Sequence, residues 1–221
     1  VTEIYRRHEG DPVPIVRARA FAHVLHNMTL DLKTNPVFAG NTSSRPRAWM
    51  LVPEHGFGVA AQVALENEGL ETILDGQIPR DLLDFWEDRS FGGNSGIGHL
   101  AVDFDRVVTQ GLLAVLNEVR SRMNDGDEAR RTTRRAMAIA LQGVLDWAER
   151  YARAAARAAE VEPDPATRAC LRRIADACSH VPSQPARTLF EALQAIALVH
   201  LATAIEGHGM SISIGLPDRI L

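Results

Sequence analysis

The chain has 221 residues and a mass of 24.2 kDa, which is enough for one domain with a sizeable core. Hydrophobic residues make up 46% and charged residues 24%, a composition that excludes a disordered or low-complexity protein. The formal net charge of −4 supplies no basic field, so neither nucleic acid nor an anionic membrane surface is an expected partner.

Cysteine content and the absence of a leader favour a cytoplasmic protein. Cys170 and Cys178 lie eight positions apart in a predicted helix, too far for a disulfide, and we expect both thiols to be reduced and buried. No basic-then-apolar leader opens the sequence. The longest apolar stretch, 192–205, contains Gln194 and His200 and is shorter than a membrane span.

Residues 1–90 predict helices joined by short strands. Apolar residues recur at helical spacing over 12–26. From 28 to 47 short apolar runs alternate with proline and glycine turns, which predicts short strands. Helical spacing returns over 56–74, and 81–86 predicts a short helix.

Residues 91–221 are predicted to form a helical bundle that ends in a strand. Aspartates that can cap a helix N-terminus precede three of its apolar-periodic stretches. They are Asp103 or Asp105 for a helix to about residue 123, Asp125 or Asp127 for a long helix to about residue 160, and Asp164 for a helix to about residue 181.

The end of the sequence changes from helix to strand. The last predicted helix covers about 185–206, and its apolar face includes His200, which we expect to be a hydrogen-bonded core histidine. Residues 210–215 alternate polar and apolar side chains, as a strand does. Ser211 and Ser213 would share one face of that strand.

A glycine-rich stretch at 91–99 is a candidate ligand loop. Its four glycines allow close backbone approach to a ligand. No Gly-Lys-Ser/Thr follows it and no strand precedes it, which excludes a P-loop and a dinucleotide fingerprint. His99 ends the loop and either faces a ligand cleft or packs the turn before the Asp103 helix.

Two other kinds of site have no support in the sequence. His23 and His26 are spaced for one helix face, but they lack the further ligands that a zinc site needs, so we expect no metal. No Gly-x-Ser-x-Gly elbow is present, so a serine hydrolase is not expected.

Five blocks in chain order resemble the glycyl radical enzymes, the pyruvate formate-lyase-like family. The most specific, 98–104, reads Gly-His-Leu-Ala-Val-Asp-Phe and is similar to the family's Gly-His-x-x-x-Asp-Phe/Tyr segment. The others are a helix start at 185–194, similar to Pro-x-Arg-Thr-Phe-x-Glu-Ala-Leu-Gln; a strand at 206–218, similar to Glu-x-x-Gly-x-Ser-x-Ser-x-Gly-Arg-x-Asp; the opening segment 2–47; and Trp-Ala-Glu-Arg-Tyr at 147–151.

The resemblance covers nearly the whole chain, with two departures. The segment 54–91 is shorter than the resemblance leads us to expect, and Leu216-Pro217 replaces the arginine of the terminal block. The resemblance implies a mainly α fold in one domain, 1–221. It would be the helical N-terminal portion of an α/β barrel, with a few short strands and one C-terminal strand.

The resemblance also implies radical chemistry whose reacting residues this sequence lacks. A separate radical-SAM activase installs a glycyl radical, which generates a thiyl radical on a cysteine loop, and no bound cofactor is expected. In the family that cysteine follows the strand at 206–218, whereas Cys170 and Cys178 precede it and are expected to be structural. The family's Arg-Val-x-Gly-Tyr-like segment, which carries the radical glycine, is absent from these 221 residues.

Two hypotheses follow. The first is the N-terminal part of a glycyl radical lyase or dehydratase, inactive alone and completed by a second polypeptide with the cysteine and glycine loops; a homodimer is a further expected partner state. The alternative is a stand-alone helical scaffold or binding protein, which would have to cover its C-terminal apolar edge. In diol-type members the resemblance places His99 and either Ser211 or Ser213 at a substrate hydroxyl.

Overall fold

The computed structural model describes residues 1–33, 37–42, 81, 84–85, 100–207 and 212–215. In this part of the chain the fold is mainly α, as predicted. The elements are α1 (Thr2–Arg7), α2 (Val13–Asn27), β1 (Leu100–Ala101), α3 (Phe104–Gln110), α4 (Leu112–Ser121), α5 (Glu128–Val161), α6 (Pro165–His180), α7 (Leu189–Gly207) and β2 (Ile212–Ser213).

The 34-residue helix α5 is the centre of the core and packs mainly against α2 and α6. Asp127 begins it as predicted, because its carboxylate accepts the Arg130 amide at 2.9 Å. Trp147 and Tyr151 are fully buried in an edge-to-face pair with ring centroids 5.4 Å apart. At Gly143 an added Cβ would lie 3.0 Å from Ala22 Cβ, so the missing side chain lets α2 cross α5 closely.

The helix predicted to run from Asp103 to about residue 123 is two helices. Asp103 caps α3, accepting the Arg106 amide at 3.1 Å, but the chain breaks at Gly111, whose φ is +77°. The next two amides leave the helical pattern: Leu112 N donates to Pro182 O at 2.7 Å and Leu113 N to Ser183 O at 3.1 Å. The loop after α6 therefore replaces one helical turn.

The strands predicted over 28–47 are not observed in the described parts of that stretch, 28–33 and 37–42. Side chains from the helices and from the segment itself, such as Asn41, satisfy part of this backbone instead of a neighbouring strand. Gln194 bonds both backbone groups of Ala39, and Arg150 donates to Met28 O at 2.9 Å. Phe38 stacks on Phe190 with centroids 5.3 Å apart. Ala39 is buried and Leu30 and Leu32 are half-buried against the helices, whereas Val37 is 45% exposed. Sequence alternation alone does not distinguish packing of this kind from a strand.

The last helix begins at Leu189, four residues later than predicted. Ala186 N donates to Val108 O at 2.9 Å, which ties the preceding residues to α3. Thr188 Oγ1 then accepts the Glu191 amide at 3.2 Å and starts the helix. Within the described residues one window, Leu189–Glu206, is long and apolar enough to cross a membrane, but 56% of it is buried inside the protein, as in a core helix.

Gln194 provides the first testable contact. Its side chain is fully buried, and its amide accepts from Ala39 N at 2.8 Å and donates to Ala39 O at 3.0 Å. Gln194→Met keeps the size but leaves both Ala39 groups unpaired, so we expect a loss of about 2–3 kcal/mol of unfolding free energy in urea denaturation. Gln110→Met, at an exposed glutamine on α3, is the control and should lie within about 0.5 kcal/mol of wild type. Equal stability of the two variants would contradict the bond's role.

Candidate functional site

Two short strands pair the residues that follow the histidine loop in sequence with part of the serine strand. β1 and β2 are parallel, with Leu100 opposite Ile212 and Ala101 opposite Ser213. His99 and Ser211 lie outside the described residues; they directly precede the paired Leu100 and Ile212 in sequence. The pairing was not predicted, because nothing local in either segment specifies its partner.

Ser213 is the predicted site residue that the structure describes. It is exposed, at the end of β2, and its Oγ accepts a hydrogen bond from Gly215 N at 3.0 Å. A hydroxyl that accepts this bond keeps its own proton available for donation. Ser213 can therefore act as a hydrogen-bond donor to a ligand at this edge.

The last two residues of the Gly-His-x-x-x-Asp-Phe block have structural roles. Asp103 caps α3 through the Arg106 amide, and Phe104 is 1% exposed in the main core. Cap and anchor together fix the chain that leaves β1. The block thus combines a rigid support with the candidate ligand residue His99.

An ion pair joins the opening segment to the end of α7. Arg17 Nε lies 2.7 Å, and its Nη2 2.6 Å, from Glu206 Oε1. A carboxylate in the last turn of a helix is disfavoured by the helix dipole, and the Arg17 guanidinium offsets this. The pair steadies the helix that leads to β2. Sequence spacing does not predict this pairing, because the partners are 189 positions apart.

The other blocks that carry the resemblance contain hydrogen bonds, both within a block and between two blocks. Arg187 Nε donates to Glu191 Oε1 at 3.0 Å, and this bond holds the pKa of the nearly buried Glu191 carboxyl below its ordinary value. Tyr151 donates its hydroxyl to Asn41 Oδ1, and burial raises the pKa of that phenol. Asn41 Nδ2 donates to Thr29 O at 2.9 Å. The bond between Tyr151 and Asn41 attaches the opening segment to α5.

The two cysteines lie on α6, as predicted. Cys178 is 3% exposed, and burial raises the pKa of its thiol to about 12, which suppresses the reactive thiolate. Cys170 is half-buried, so the expectation that both thiols are buried is wrong for this residue. Both are free thiols placed in the helical bundle, and neither follows β2.

The expectation for His200 is wrong in one respect. The residue lies on α7, half-buried, but its Nδ1 is buried without a hydrogen-bond partner among the residues that the structure describes. Of the two histidines considered for a metal site, His26 is paired with Asp146, with its Nε2 2.9 Å from Oδ2. Across the described ranges no three His, Cys, Asp or Glu side chains converge as metal ligands.

An apolar cleft of about 390 Å³ lies among the helices and reaches Val102, the residue that follows β1. Val102, which follows β1, lines it together with Thr203 and Glu206 near the end of α7. Its remaining walls come from α2, α3, α4 and α5. Apart from Thr203 and Glu206, its lining is apolar.

Comparison with known proteins places this geometry in a family. A model of the family described as "Pyruvate formate lyase-like" matches residues 1–221, and the chain belongs to that family, whose homologues are glycyl radical enzymes. The "Probable dehydratase YbiW" of Escherichia coli (strain K12) is 29% identical over 100% of this chain and 32% of its own length. That alignment extends over 269 positions, so the relative carries residues that have no counterpart here.

Solved structures show the same fold. A protein of Roseburia inulinivorans, described for 1,2-propanediol dehydration, superposes with a TM-score of 0.84 at 26% identity over 99% of this chain and 31% of its own. The glycerol-bound B12-independent glycerol dehydratase of Clostridium butyricum superposes with a TM-score of 0.83 at 21% identity, over 99% of this chain and 33% of its own. The chain spans about a third of the length of these proteins and corresponds to an N-terminal portion.

Proposed function

We propose that this chain forms the substrate-binding wall of a glycyl radical dehydratase or lyase whose radical residues are carried by a second polypeptide segment. The supporting observation is the parallel pairing of β1 with β2, which joins the residues following His99 and Ser211. The similarity of the whole chain to a probable dehydratase gives further support. The glycyl radical, installed by a radical-SAM activase, would supply hydrogen abstraction in the completed enzyme.

In this proposal the chain's own residues bind and orient a substrate hydroxyl. A hydroxyl in a dry pocket needs both a donor and an acceptor. The His99 imidazole can serve as either, and the hydroxyl of Ser211 or Ser213 can donate. His99 would also transfer a proton to the hydroxyl that leaves as water. A vicinal diol fits this pair of groups, because it presents two adjacent hydroxyls.

The proposal predicts a large effect of His99→Ala on turnover. In a complex reconstituted with the polypeptide that carries the cysteine and glycine loops, loss of a general acid should lower kcat for propane-1,2-diol by about 10²-fold or more. Ser211→Ala and Ser213→Ala should show which serine binds the substrate. The variant that lacks the binding serine should raise KM, and the other variant should not. His26→Ala, at an exposed histidine on α2, is the matched control and should leave kcat unchanged.

The opposite outcome has a distinct signature. If His99 only packs the turn before α3, His99→Ala should lower the melting temperature and leave kcat unchanged. That result would remove His99 from the proposed mechanism.

The stand-alone scaffold is the less supported alternative. Ile214, next to β2, is 41% exposed, and a completing polypeptide would cover this apolar side chain. A neighbouring reading frame that carries the cysteine and glycine loops with an activase would support the enzyme. Their absence from the genome would favour the scaffold.

A further inference from the structure

A second cavity, of about 620 Å³, lies between α2 and α5 beside the end of α4. This volume is within the range of about 300–1,000 Å³ that is typical of small-molecule sites. None of the described residues that line it belongs to β1 or β2, so it is distinct from the strand pair. Its floor consists of small or aliphatic residues: Ile15, Ala22, Ala138, Ile139 and Gly143. We call this cavity the α2–α5 groove.

Two arginines at the rim of the groove carry positive charges that nearby carboxylates balance only weakly. Arg120 donates to Gln142 Oε1 at 3.0 Å, a neutral amide, and has no carboxylate partner within the described ranges. Arg135 Nη1 lies 3.5 Å from Glu128 Oε1, at the outer limit of a hydrogen bond. Glu128 is also bound by Arg131 at 3.0 Å, so its charge is shared. Both guanidinium groups retain donors for a ligand.

The acidic groups of the groove are already engaged. Asp146 accepts from Gln142 Nε2 at 2.8 Å and lies 2.9 Å from His26 Nε2. Asp11 lies 3.2 Å from His8 Nδ1 and 3.4 Å from the third rim arginine, Arg19. Three arginines therefore face two partnered aspartates. This is a locally positive site on a chain whose net charge is −4.

We propose that the α2–α5 groove binds a small organic anion, a carboxylate or phosphate ester that carries an apolar ring or chain. The planar guanidinium groups of Arg120 and Arg135 match the oxygen geometry of either anionic group. The aliphatic floor, with the Gly143 crossing at its base, takes the apolar part of the ligand. The rim arginines would thus bind the anionic group of the ligand, and the floor would contact its apolar ring or chain.

Calorimetric titration of the full chain with 2-naphthyl phosphate tests this proposal, with uncharged 2-naphthol as the control ligand. The phosphate should bind at one site at least about tenfold more tightly than the naphthol. Arg120→Gln combined with Arg135→Gln should weaken the phosphate by about tenfold or more, because the charge-assisted bonds are lost. Arg157→Gln, at an exposed arginine of α5 outside the groove, should bind like wild type.

Three results would overturn the proposal. They are equal affinity for the phosphate and the naphthol, unchanged binding by the double variant, and the absence of saturable phosphate binding at about 10 mM. Amide chemical shifts, followed by NMR while 2-naphthyl phosphate is added, give an independent readout. They should move at Ala22, Ala138 and Gly143 on the floor, and shifts confined to other regions would equally reject the groove.

Discussion

Trp147→Ala should lower the unfolding free energy by about 3–5 kcal/mol, one of the two largest effects expected of a single substitution in this chain. Trp147 is fully buried on α5 and packs edge-to-face on Tyr151. Removing the indole opens a cavity at the junction of the core helices. Urea denaturation followed by circular dichroism measures the change.

Trp147→Phe is the matched control. It retains an aromatic ring, and the indole Nε1 that it removes has no hydrogen-bond partner among the described residues. No hydrogen bond to a described residue is therefore lost, and we expect a cost of about 1–2 kcal/mol from the smaller ring. A phenylalanine variant as unstable as the alanine variant would show that the indole N–H, not the ring, stabilises the core.

Gly111→Ala should cost about 3–5 kcal/mol, because strain and a clash add together. The φ of +77° with ψ of 155° is a region that essentially only glycine adopts. An added Cβ would also lie 2.3 Å from Ser183 O and 2.8 Å from Gln184 Cα, which are backbone atoms that cannot rotate away. The contact between α3 and the loop after α6 would have to open.

Gly215→Ala separates the two contributions. Gly215 has a φ of +80°, but no atom of the described residues lies within 4 Å of an added Cβ. This variant should show the conformational cost alone, about 1 kcal/mol. If Gly111→Ala cost no more than Gly215→Ala, the close approach to Ser183 would not be a real constraint on the fold.

The helices with local start signals could be predicted from the sequence. Asp127 and Asp164 each accept the amide three residues later, at 2.9 and 2.7 Å, and begin helices within a residue or two of the expected positions. Capping and apolar periodicity are short-range properties, so one sequence contains them. The α2 helix, Val13–Asn27, has no side-chain cap and could be predicted from apolar periodicity alone.

The long-range contacts could not be predicted in this way. The break at Gly111 depends on the carbonyls of Pro182 and Ser183, some seventy residues later. The absence of strands in the described parts of 28–42 depends on Gln194, more than 150 positions away. Sequence spacing contains neither partner.

At the candidate site, too, the local feature could be predicted from the sequence and the long-range contact could not. The serine strand could be predicted from alternation, and β2 covers Ile212–Ser213 of it. Its pairing with β1 is a tertiary fact that only the structure supplies. The roles of His99 and Ser211 stay predictions, because both residues lie outside the described ranges.

Electron spin resonance tests most directly the central claim that the glycyl radical is not formed on this chain. The purified 221-residue chain is incubated without oxygen with S-adenosylmethionine and an activase shown to generate a radical on a complete relative. We expect the glycyl radical doublet from the complete relative and none from this chain alone. A glycyl radical signal located on this chain would contradict the account.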